Sequence, residues 1–311
     1  MNSPDRLRPA AGLPPALSGT RREIESALTG RISWYQDAPQ TSAAPGAPLL
    51  LVHSVNAVAT AYEVRPLYEH YRLERPVYAL DLPGFGHSAR DARRYSPRLM
   101  TDAILALLAE IRRERGPVPI DALALSLSAE FLARAAGEFP AAFRSVALVS
   151  PTGFNRVALR EGKAGSTLGS RPVLALLQRG GIGRFLFALL TRRSVIRYFL
   201  RRAWGARRID AGLLDYSCAT PRQPGAEHAP LHFLTGFLFS GDSGRQYREL
   251  TLPVWAVHGV RGDFTDYRSI GLAAERANWT VDILKTGALP YFEIPEEFCQ
   301  RYDEWRARIP S

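Results

Sequence analysis

The sequence predicts an α/β fold, a mostly parallel sheet with helices on both faces and a helical insertion near its middle. Two observations predict it. Short apolar runs of strand length alternate with helices that carry one apolar face, and the alternation stops for about a hundred residues before resuming. A chain of 311 residues with 46% hydrophobic content is large enough to bury such a sheet. No apolar run reaches the roughly 20 residues that a membrane helix needs.

The elements follow in order. The first residues, "MNSPDRLRPAAGLPPALSG", are rich in proline and small residues and read as a flexible lead-in over 1–21. They hold no apolar core of signal-peptide type, so a cytoplasmic location is expected. "APLLLVHS" (47–54) is a buried-strand signal, and "RPVYALDLPGFGHS" (75–88) is a strand running into a glycine-rich turn. "SPRLMTDAILALLAEIRRERG" (96–116) is a helix with Ser96 as its cap, Pro97 in the first turn and Gly116 at its end. Met100, Ala103, Ile104, Leu107, Leu108 and Ile111 form its apolar face. "PIDALALS" (119–126), "AEFLARAAGEFP" (129–140) and "FRSVALVSP" (143–151) continue as strand, helix and strand. "LPVWAVHG" (252–259), "WTVDILK" (279–285) and "PEEFCQRYDEWRAR" (295–308) complete the pattern as strand, strand and helix. The core is thus expected over 22–150 and 251–311, with a helical lid over 151–250. Ligands of open α/β sheets bind at the carboxyl ends of the strands, so such an insertion would roof the pocket there. Its aliphatic and aromatic content suggests a lipophilic cavity.

Charge and cysteine content narrow the function. The formal net charge is +10, and thirteen Lys and Arg between 151 and 211 face only two acids, Glu161 and Asp210. Such a cluster is either a solvated helix surface or an attractor for an anionic membrane surface. Nucleic acid is not expected, because the charge is local and no recognition motif accompanies it. Two cysteines, Cys218 and Cys299, suit a reducing compartment. No metal-ligand spacing is present and no cofactor is expected.

Five segments resemble the α/β-hydrolase family: "LLLVHS", "DLPGFGHS" (81–88), "ALALSLSAEF" (122–131), "GVRGDFTDY" (259–267) and "GALPYFEIPEEF" (287–298). Their order and spacing span Ala47 to Trp305 apart from the insertion. The resemblance implies the α/β-hydrolase fold, with Ser126 at the nucleophile elbow. Ala124 and Ser128 stand where glycines are usual and are small enough for the turn. It also implies an oxyanion hole from the backbone N–H of Leu127 and of Val55, with Asn56 as a further side-chain donor. Asp263 falls at the acid position, with Asp266 as alternative because that turn is one residue longer than usual. Gly287, Pro290, Glu293, Pro295 and Phe298 keep the register of the last motif, but the histidine position holds Ala288.

A serine needs a neighbouring base. Loss of the histidine costs on the order of 10⁶ in turnover, about 8 kcal/mol of barrier. His228, His232 and His258 are the candidate substitutes; His53, His70 and His87 are placed elsewhere by their motifs, and Tyr291 is a further residue that could point inward. Two function classes follow. One is an esterase, thioesterase or acyl-transfer enzyme acting on a lipophilic small molecule through Ser126 with a non-standard base. The other is a non-catalytic pseudohydrolase that binds a small hydrophobic ligand as receptor or carrier.

Overall fold

The computed structural model describes residues 12–39, 46–155 and 158–309. Eight strands form one sheet: β1 (Thr20–Ser26), β2 (Gly30–Asp37), β3 (Leu49–Val52), β4 (Val77–Asp81), β5 (Ile120–Leu125), β6 (Phe143–Val149), β7 (Val254–Gly259) and β8 (Trp279–Leu284). Their spatial order is β1-β2-β4-β3-β5-β6-β7-β8. β1 and β2 are antiparallel to each other, and β2 is antiparallel to β4. Every pairing from β4 to β8 is parallel. The parallel strands β3, β4, β5 and β7 are buried at every residue. That is why they read as unbroken apolar runs rather than alternating ones.

Twelve helices are described: α1 (Arg65–Tyr71), α2 (Pro97–Arg115), α3 (Ser128–Glu138), α4 (Arg171–Leu177), α5 (Ile182–Leu190), α6 (Arg193–Trp204), α7 (Ala211–Ala219), α8 (His228–Leu234), α9 (Ser243–Glu249), α10 (Ile270–Ala274), α11 (Pro290–Glu293) and α12 (Pro295–Ala307). The punctuation of α2 is as the sequence implies: the Ser96 hydroxyl accepts from Leu99 N–H at 3.3 Å, and Gly116 follows at φ 84°. Helices α4 to α9 all lie between β6 and β7, so the chain leaves the sheet after β6 and returns at β7.

The amino-terminal segment differs from expectation. Residues 1–11 lie outside the described residues, but 12–21 are not a loose lead-in. Leu13, Ala16 and Leu17 are buried. The Ala16 N–H donates to Tyr35 Oη at 2.9 Å, and Tyr216 Oη donates to the Pro14 carbonyl at 2.7 Å. The hairpin β1–β2 that follows went unread because β1, "TRREIES", is exposed over most of its length and offers one apolar residue, Ile24. A charged edge strand of this kind resists further strand pairing and leaves no apolar period to detect.

At the end of the sheet opposite Ser126, Asp121, the second residue of β5, is fully buried. Its carboxylate accepts from Arg75 Nη2 at 2.7 Å, Arg144 Nε at 2.9 Å, Arg306 Nε at 3.0 Å and Ser145 Oγ at 2.6 Å. Burial pushes this carboxyl up, but Arg75, Arg144 and Arg306 outweigh it and hold it below the ordinary aspartate value. One anion thus ties β5 to β6, to α12 and to the chain before β4. Asp121→Ala would strand the buried Arg75, and we expect it to lose about 3–5 kcal/mol in urea denaturation. A lowered folded-state pKa contributes stability above the unfolded value and loses it as pH falls. Wild-type stability should therefore decline below about pH 4, and the variant should lose that contribution.

Candidate functional site

Ser126 sits in the tight turn between β5 and α3 with φ 58°, one of two non-glycine residues at positive φ among the described residues. Its N–H donates to the Val149 carbonyl at 2.8 Å, which fixes the turn against the end of β6. The flanking residues Ala124 and Ser128 are completely buried, so small side chains are required there. Ser128 does more than fit. Its hydroxyl donates to the His53 carbonyl at 2.5 Å and joins the elbow to the turn after β3.

That turn carries the other half of the site. His53 accepts from Leu82 N–H through Nε2 at 3.0 Å, and its Nδ1 lies 2.6 Å from the Ser54 carbonyl. Both ring nitrogens are engaged, so His53 is a buried brace. Ser54 N–H donates to Glu63 Oε2 at 2.9 Å. Asn56 Nδ2 donates to Ser54 Oγ at 2.9 Å and to Glu63 Oε1 at 2.8 Å, which consumes the amide expected as an extra oxyanion donor. The backbone N–H groups of Val55 and Leu127 have no acceptor among the described residues.

A cavity of 200 Å³ unites these groups. Ser54, Val55, Asn56, Ser126 and Leu127 line it together with Ser150, Thr152, Ala203, Phe233, Phe239, Phe264, Ala288 and Leu289. Apart from hydroxyls, one amide and backbone groups, the wall is apolar, and none of these residues is titratable in the neutral range.

The sequence-expected base and acid are arranged differently from a triad. Ala288 lies on the turn after β8 and reaches the same cavity as Ser126. Its N–H donates to the Ala203 carbonyl at 2.9 Å, and its own carbonyl accepts from Ser150 Oγ at 2.8 Å. Ser150, the second positive-φ residue, thereby locks the base turn from below. Asp263 is exposed, its carboxylate pairs with Arg202 of α6, and its N–H donates to the Arg202 carbonyl at 3.0 Å. Asp266 is also exposed and pairs with Arg268 at 2.7 Å.

No histidine reaches the cavity wall. His258 ends β7, stacked on Tyr267 with ring centroids 3.9 Å apart, and burial pushes its pKa below the ordinary value. His258 Nδ1 lies 3.0 Å from the Gly259 carbonyl, while Nε2 is buried and unpartnered among the described residues. His228 and His232 face a separate cleft of 690 Å³ bounded by α4, α5, α8 and residues 92–94. Burial lowers the pKa of His232, whose ring lies between Tyr95 and Phe237. His87 approaches the Pro14 carbonyl, and His70 lies at the surface beside Glu74 and Asp303. Tyr291 is fully buried near Glu63 and does not line the cavity; burial and then Glu63 push its phenol up.

Sequence reasoning missed the role of α6. Two of its last-turn carbonyls, those of Arg202 and Ala203, accept from the N–H groups of Asp263 and Ala288. The approach is so close that a Cβ on Gly287 would lie 2.4 Å from the Trp204 carbonyl oxygen. The clustered arginines carried a signal of the insertion but not of this contact.

A family profile described as the alpha/beta hydrolase family matches residues 49–301. No curated protein matches the chain. Among solved structures, a probable hydrolytic enzyme from Pseudomonas aeruginosa PAO1 superposes with TM-score 0.71 at 18% identity, covering 93% of this chain and 95% of that one. A thermophilic esterase from Thermogutta terrifontis gives TM-score 0.69 at 17% identity, covering 94% and 100%. A membrane phospholipase A described as a bacterial virulence factor gives 0.67 at 18% identity, covering 93% and 86%.

Two outcomes follow from this geometry. A residue held at positive φ costs on the order of 1 kcal/mol that glycine does not incur. Ser126→Gly should therefore gain about 1 kcal/mol over Ser126→Ala in urea denaturation. Gly287→Ala would push Trp204 away, and hydrogen exchange should then accelerate in the last turn of α6 while the sheet amides stay protected.

Proposed function

We propose, from the premise that the chain belongs to the alpha/beta hydrolase family, that it is a pseudohydrolase binding a small lipophilic molecule through a carbonyl or carboxylate oxygen. The observation that carries this reading is the cavity wall: Ser126 shares it with two unengaged N–H groups and with apolar side chains, and with no base. The N–H groups of Val55 and Leu127 suit an acceptor oxygen, and the amino end of α3 favours partial negative charge beside them. Phe233, Phe239, Phe264 and Leu289 suit a hydrocarbon body. At 200 Å³ the space falls below the roughly 300 Å³ at which pockets for drug-sized ligands begin, so the ligand is short. The insertion acts as the lid over it, with Ala203, Phe233 and Phe239 as its roof.

The strained φ of Ser126 favours a second reading, because nucleophile elbows store such strain. In that reading the protein is an esterase, thioesterase or acyl-transfer catalyst whose ligand supplies its own base. His258 is a weak rescue, since its stacking partner is Tyr267 and it does not line the cavity.

Labelling with a fluorophosphonate probe and turnover of p-nitrophenyl acetate separate the two. Wild type should match Ser126→Ala in both assays, whereas Ser126-dependent turnover in the wild type would sink the binding reading. Ala288→His should gain about 10²-fold over Ser126→Ala, the low end of what a positioned base contributes, because Asp263 remains with Arg202. Short-chain carboxylates should raise the melting temperature of the wild type, and Ser126→Trp, which fills the cavity, should abolish the effect.

A further inference from the structure

Helices that merely cover a protein turn their apolar face inward. Helices α4, α5 and α6 do not. Among the described residues, half of the large apolar side chains left in water lie in the insertion, and Val173, Leu176, Ile182, Phe185, Tyr198 and Phe199 come from these three helices. Phe185 is 68% exposed, Leu176 55% and Phe199 52%. On α5 only Gly183 and Phe187 are buried, and on α6 only Ile196 and Trp204. Large apolar side chains exposed together on consecutive helices, unlike ones scattered singly, point to an interaction site.

The charge around it identifies the partner. Arg171, Arg179, Arg192 and Arg197 are exposed and meet no carboxylate among the described residues. Glu161 and Asp210 are the only acids from 151 to 211. Aromatic and aliphatic side chains mixed with unpaired arginines fit the headgroup zone of an anionic bilayer, which takes the apolar groups below and the guanidinium groups at phosphate level. The helices lie bent rather than as one straight span. No single described helix is long and apolar enough to span a membrane, and α4 and α5 meet at 87°. With seven and nine residues they fall well short of a core about 30 Å thick.

We propose that the outer face of α4–α6 docks the protein on an anionic phospholipid bilayer. The 690 Å³ cleft beside α4 and α5 adjoins this surface: Arg94 and Arg171 line it with the apolar Leu177 and Phe237, while Arg93 pairs with Asp91 and Arg184 with the lining residue Glu227. The proposal is independent of what Ser126 does.

Flotation of the full chain with vesicles tests it. The protein should float with vesicles of equal parts phosphatidylcholine and phosphatidylglycerol, remain below with phosphatidylcholine alone, and dissociate as salt approaches about 1 M. Leu176→Ser with Phe185→Ser, and separately Arg171→Gln with Arg197→Gln, should each weaken binding about tenfold. Circular dichroism and melting temperature should be unchanged in both, because the replaced side chains are exposed. Failure to float with anionic vesicles, equal binding to neutral ones, or wild-type binding by either double variant overturns the proposal. So does a dimer in sedimentation equilibrium that the double serine variant dissociates, since the face would then belong to a second copy of the chain.

Discussion

The end of α6 is the constraint on which the arrangement around the serine depends. A helix leaves its last carbonyls without partners, and these must be satisfied wherever the helix stops. Here the carbonyls of Arg202 and Ala203 accept from Asp263 and Ala288, the residues at the acid and base positions of the family pattern. The Arg202 side chain then draws the Asp263 carboxylate outward. Both turns serve as a cap of that insertion helix. Backbone and side chain on both sides of the site are committed to holding α6.

The other half of the site is braced by buried hydrogen bonds. Ser126 retains its positive φ, and Ser128 bonds the elbow to the His53 carbonyl. Glu63 fixes the following turn through Ser54 N–H and the Asn56 amide, so Val55 is held on a rigid support. A buried carboxylate is costly unless its lone pairs are used, and these bonds use them. Preorganised N–H groups favour any acceptor oxygen placed between them, whether or not a bond to it is later broken.

Much of the fold was legible because buried parallel strands leave unbroken apolar runs. Leu49–Val52 and Val254–Gly259 stand out for that reason, and Ser96 and Gly116 bracket α2 by their own chemistry. The hairpin β1–β2 was not legible, since a charged edge strand has neither run nor period. At the site, Ser126, Leu127, Val55 and Ala288 could be placed by spacing, and all four line one cavity. The orientation of Asp263 could not. Its direction is set by Arg202, sixty-one positions away in sequence, and no local pattern encodes a contact of that range. Asn56 is a nearer case: its amide is taken by Glu63, seven positions on.

The insertion is also what couples the cavity to the rest of the molecule. Thr152 and Phe239, both on the cavity wall, meet a buried polar cluster behind it. Glu130 of α3 accepts from Thr152 Oγ1 at 2.5 Å, Arg160 Nη1 at 3.0 Å and Ser240 N–H at 2.8 Å. The Arg160 guanidinium lies 5.7 Å from the Phe239 ring centroid. Burial pushes the Glu130 carboxyl up against the pull of Arg160. Since α3 begins at the elbow, the helix that supports Ser126 also anchors both ends of the insertion. Glu130 thus ties α3 to residues 152 and 160 where the insertion starts and to residue 240 near its end.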